Sequence, residues 1–150
     1  MKKKKLIIIL LILVLSVIIG TETYAYYVSN MKVNVTATGS NIICDAEIKE
    51  VSNEEKNKYG YSEFKVIVKN HDSSNNLTKE SFNYTLSVEN TDNSNGMFAN
   101  NGEFDNTLEI TDTMSNNEST DKAYFIQVKT ENGTSANVKY KVKLNCIQNN

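Results

Sequence analysis

Two stretches alternate apolar and polar side chains so regularly that an extended backbone is the conformation that fits them. In 81–90, Phe82, Tyr84, Leu86 and Val88 take every second place, with Asn83, Thr85, Ser87 and Glu89 between them. In 137–147, Val138, Tyr140, Val142, Leu144 and Cys146 alternate with Lys139, Lys141, Lys143 and Asn145. A period of two sends successive side chains to opposite faces, so each segment reads as a strand with one dry and one wet face. The rhythm returns in 61–70 (Phe64, Val66, Val68), 122–130 (Tyr124, Ile126, Val128), 42–51 (Ile42, Cys44, Ala46, Ile48) and 107–111 (Leu108, Ile110). It also runs through 26–38, where Val33, Val35 and Ala37 predict a half-buried strand.

The segments between are polar. Residues 52–59 read as a solvated connection, 91–106 as a long loop holding a short strand, and 112–121 as the polar closure of the 107–111 strand. Residues 131–136, with Gly133, read as the turn of a terminal hairpin joining 122–130 to 137–147. Seven or eight strands and no amphipathic helix predict an all-β antiparallel β-sandwich, immunoglobulin-like or jelly-roll, preceded by an N-terminal hydrophobic signal helix.

That helix is read from four lysines at 2–5, a run over 6–19 that is apolar but for Ser16, and a small-residue exit through Gly20, Thr23 and Ala25. Charge, apolar run and small-residue exit are the three parts of an export signal. At about 1.5 Å per residue the run covers only about 20 Å, short of the roughly 30 Å hydrocarbon core of a bilayer. Thr23 and Ala25 occupy the −3 and −1 places, which sets the predicted cut between Ala25 and Tyr26. The expected organisation is a signal peptide over 1–25 and one β-sandwich domain over 26–150, secreted or held at the cell surface. The alternative keeps the leader uncleaved, so that 6–19 holds an accessory or ligand-binding domain at the membrane.

With four lysines and Glu22 in the leader, the domain keeps 12 of the 16 lysines and 17 of the 18 acids. A mildly acidic surface with no basic block argues against nucleic acid or anionic lipid as partner. Membrane contact is expected only through the N-terminal segment. Cys44 and Cys146 lie near opposite ends of the domain, both in phase with a dry face. In an exported chain such a pair reads as a disulfide, with two buried thiols as the other reading.

No catalytic set is legible, and a non-enzymatic protein without cofactor or metal is expected. His71 is the only histidine and falls in a polar turn. Neither CxxC nor HExxH occurs, which removes the usual zinc spacings. An EF-hand register before Gly96 lacks both anchoring acids, leaving only a looser calcium arrangement around Asp92 or Asp105. Sequons at Asn34, Asn76, Asn83, Asn117 and Asn132 are what 22 asparagines produce by chance. Ile67 and Phe125 fall out of phase and belong on wet faces, where with Tyr26 and Tyr27 they could form a contact surface or simply be scattered apolar residues.

The junction Thr23-Tyr24-Ala25-Tyr26-Tyr27, with the strands Phe64-Lys65-Val66-Ile67-Val68-Lys69-Asn70 and Phe82-Asn83-Tyr84-Thr85-Leu86-Ser87-Val88, resembles exported Gram-positive proteins of the TasA/camelysin type. The resemblance implies processing by a dedicated signal peptidase, a β-sandwich, and a surface or biofilm-matrix role. In that family fibres form when the N-terminal strand of one subunit completes a neighbour's sheet. Its mature chains are longer and do not depend on a cysteine pair, and no residue here carries over the metalloprotease activity attributed to camelysins. The resulting expectation is a surface or matrix protein acting through protein contact, by adhesion or fibre assembly.

Overall fold

A computed structural model of the chain describes residues 31–52, 61–91, 95–130 and 138–149. The signal segment, Ala25, Tyr26, Tyr27, Asp92 and the 131–136 turn lie outside the described residues. Residues 32–150 form one compact unit.

Eight strands follow in order: β1 Val33–Thr38, β2 Asp45–Glu50, β3 Ser62–Lys69, β4 Phe82–Asn90, β5 Gly96–Ala99, β6 Thr107–Met114, β7 Asp121–Thr130 and β8 Tyr140–Gln148. They make two four-stranded sheets, β1-β8-β4-β6 and β2-β3-β7-β5. The described residues are all-β and sandwich-like, as their alternation predicts. Side chains from the two sheets meet between them: Phe64 of β3 stacks on Tyr140 of β8 at 5.0 Å, and Phe98 of β5 meets the same ring edge-on at 5.5 Å.

The dry faces are those read from the sequence. Phe64, Val66, Val68, Phe82, Leu86, Val88, Ile126 and Val142 are fully buried. Each such side chain contributes about 1.5–3 kcal/mol on leaving water.

Three expectations change. The terminal hairpin is not formed: β7 pairs with β3 and β5, whereas β8 pairs with β4 and β1 in the other sheet. Alternation tells that both strands face the core, and it carries no information about which strand each one pairs with. The sheets are not wholly antiparallel, because β1 lies parallel to β8 with Val33, Val35 and Ala37 opposite Val142, Leu144 and Cys146. And β6 runs on to Met114 through the stretch read as its polar closure. Asp112 stays in the strand because Lys122 and Tyr124 supply donors to its carboxylate.

The connections at one end of the fold are knitted by buried polar side chains. Asn70, with no exposed surface, donates to the carbonyls of Ser115 and Glu118 at 2.7 and 2.8 Å and accepts from the Thr120 amide at 2.8 Å. Thr78 accepts from the Ile43 amide at 3.0 Å and donates to the Glu80 carbonyl at 2.9 Å. Gly39, after β1, has φ of +131°, and a Cβ there would lie 2.6 Å from the Gln148 side chain. That turn therefore requires glycine.

Candidate functional site

Cys44 precedes β2 and Cys146 lies buried in β8, and the fold brings them within bonding distance with Cα atoms 6.5 Å apart. The pair links the two sheets, the placement their phase predicts.

Beside it runs β1. As the outermost strand of its sheet it has one edge on β8 and no strand on the other among the described residues. Val35 shares a face with buried Leu144 yet is 37% exposed, and the rest of β1 after Val33 is exposed as well. The strand is therefore less buried than the half-buried segment its pattern predicts, because alternation does not distinguish an edge from a centre. The four edge strands differ in composition. β2 carries Asp45, Glu47, Lys49 and Glu50, with Glu47 held by Lys49 and Lys69 at 2.8 Å each. β6 carries Glu109 and Asp112, and β5 is only four residues long. β1 reads Val-Asn-Val-Thr-Ala-Thr, with no charge, proline or glycine. Charge and shortness are how sheet edges are kept from pairing with other chains, and β1 has neither.

The outward face of the same sheet is polar and slightly concave. Register sets Asn34 beside Lys143 beside Ser87, and in the next row Thr36 beside Asn145 beside Thr85. These six residues, with Leu144 between Lys143 and Asn145, line a shallow groove of about 390 Å³. At its border the Glu89 carboxylate takes both Lys141, at 2.8 Å, and Lys143. Those lysines hold the Glu89 carboxyl down to about 2.

Between the sheets lies a polar cluster that the sequence does not announce. Tyr84 of β4 donates its hydroxyl to that of Tyr124 on β7, Tyr124 donates to Asp112 Oδ2 at 3.0 Å, and Lys122 Nζ reaches the same oxygen at 2.7 Å. The Lys122 ammonium holds the Asp112 carboxyl below its ordinary value, while burial pushes both phenols up. Protonated phenols and a paired carboxylate clamp one sheet to the other. Tyr84 and Tyr124 count simply as inward residues in the pattern, and only pairing shows that their hydroxyls meet.

His71 lies between two acceptors, Asp121 Oδ1 at 2.6 Å from Nε2 and the Asp72 carbonyl at 3.1 Å from Nδ1, and its pKa is raised chiefly by Asp121. Ile67 and Phe125 occupy the outward face of the second sheet as expected, both half-buried, with Lys65 Nζ 5.5 Å from the Phe125 ring centre. Asp105 pairs by its backbone with Phe98, at 2.7 and 3.0 Å, and its carboxylate accepts from the Asn106 amide. Among the described residues no three His, Cys, Asp or Glu side chains converge as a cation site. In comparisons with known proteins, no family model, no curated protein and no solved structure matches this chain.

Proposed function

We propose that this chain is a non-enzymatic exported surface or matrix protein that acts through protein contact, with β1 as the contact edge, on a sandwich of the immunoglobulin-like or jelly-roll kind. The observation that carries the reading is the composition of that edge: six uncharged residues, five of them exposed, along a backbone edge with no strand beside it among the described residues. An extended segment of a second copy adds there as a further strand, main-chain hydrogen bonds giving affinity and alternate side chains giving register. The leader and the TasA/camelysin resemblance support the same surface role.

The test is assembly of the purified protein on a sizing column. Val35→Lys places a charge on the edge strand at some loss of packing beside Leu144, and it should return oligomers to monomers while the disulfide and a cooperative unfolding transition are kept. Oligomers of unchanged size in the variant would remove the edge from the mechanism. Intact mass from medium and membrane fractions separates this reading from the anchored alternative, since a chain beginning at Tyr26 in the medium requires cleavage after Ala25.

A further inference from the structure

We propose that the outward face of the β1-β8-β4-β6 sheet binds an uncharged, hydroxyl-rich glycan chain in the groove over β1, β8 and β4. The groove is built by three adjacent strands, each contributing two side chains in register. Five of the six, Asn34, Thr36, Thr85, Ser87 and Asn145, make no side-chain hydrogen bond within the described residues. One row further on, Thr113 donates to Asn83 at 2.7 Å, so part of the neighbouring row is already taken up. Hydroxyls and carboxamides each carry a donor and an acceptor, the same pairing that every sugar hydroxyl presents.

The charges point the same way. Lys143 is the one ionic group in the lining, and Glu89 already engages it, so the groove has no free cation to select a phosphate or carboxylate. A protein partner would call for aromatic, Met or Arg side chains at the centre and few serines, and the lining has none of those and does have Ser87. Ile147, 52% exposed, follows Asn145 on the same face of β8 and offers an apolar surface to the C–H side of a sugar ring. The platform is set before binding, because β8 and β4 are the central strands of the sheet, which spares the ligand an ordering cost. β1 lends its outward side chains to the groove and its free backbone edge to assembly, so the two proposals stand or fall separately.

The experiment is a titration of isotope-labelled protein from an expressing culture, followed by amide NMR, with N-acetylglucosamine tetrasaccharide in one arm and cellotetraose in the other. Shifts should concentrate on Thr36, Thr85 and Asn145 in at least one arm. Thr85→Val and Asn145→Leu should each weaken binding about fivefold, one hydrogen bond's net contribution. Thr111→Val, on the same face but outside the lining, should leave it unchanged. Absence of shifts with both sugars at millimolar concentration, shifts scattered over the surface, or variants that bind as well as the parent would overturn the proposal. So would shifts at these residues that follow protein concentration without sugar, which would assign the face to a second copy.

Discussion

Cys146 sits fully buried at the centre of one sheet, and Cys44, 102 residues earlier, meets it from the lead-in to the other. Closing so long a loop restrains the unfolded chain far more than the folded one. Loop closure of this length accounts for about 4–5 kcal/mol. Urea unfolding with and without reductant should differ by about that amount, and the Cys44→Ala, Cys146→Ala double variant should match the reduced protein and no longer respond to reductant.

Asn70 uses its whole carboxamide to hold the 115–120 connection against the end of β3. Asn70→Ala removes the partner of two carbonyls and an amide at a part-buried place and leaves a gap where the buried carboxamide stood, and should cost about 1–3 kcal/mol. Chemical denaturation measures the loss. Hydrogen exchange at the Thr120 amide should rise before global unfolding does.

Acid should act chiefly through three lysine-paired carboxyls, with Asp72, lowered by its bonds from Asn76, as a fourth. Glu89, at about 2, and Glu47 and Asp112, both lowered by lysine partners, titrate below their ordinary values of 4.5, 4.5 and 3.8. Their stabilising contributions are complete above those ordinary values and fade as pH falls through the lower folded ones. Thermal midpoints should therefore hold to about pH 4.5 and fall below it, and Asp112→Asn should flatten part of that fall.

At His71 the direction is opposite. Its folded pKa is raised, so the clip to Asp121 is fully present below 6.5 and is lost as pH rises through the folded value. Both ring nitrogens face acceptors, and only the imidazolium can donate to both. NMR titration of the ring protons should show the raised value in the parent and a lower one in Asp121→Asn.

Much of the fold is legible as phase. Phe82, Tyr84, Leu86 and Val88 announce β4 because burial and alternation coincide in a strand flanked on both sides. Pairing is not legible in the same way: nothing in the composition of 122–147 says that β7 and β8 part company into different sheets, since inward residues look alike whichever strand lies beside them. For the same reason the Tyr84–Tyr124–Asp112 clamp and the rows Asn34–Lys143–Ser87 and Thr36–Asn145–Thr85 emerge only once register is known. The asparagines in turns are legible in part: Asn75, Asn95 and Asn101 all take positive φ, a conformation their short polar side chain tolerates better than most.

The central claim is that the free edge of β1 joins one molecule to another. Hydrogen exchange of the Val33–Thr38 amides, measured at low and high protein concentration, addresses it directly. Amides on the side away from β8 should exchange freely in dilute protein and become protected as concentration rises, with Val35→Lys abolishing that change. Equal exchange at both concentrations, or protection gained on another strand instead, would contradict the account.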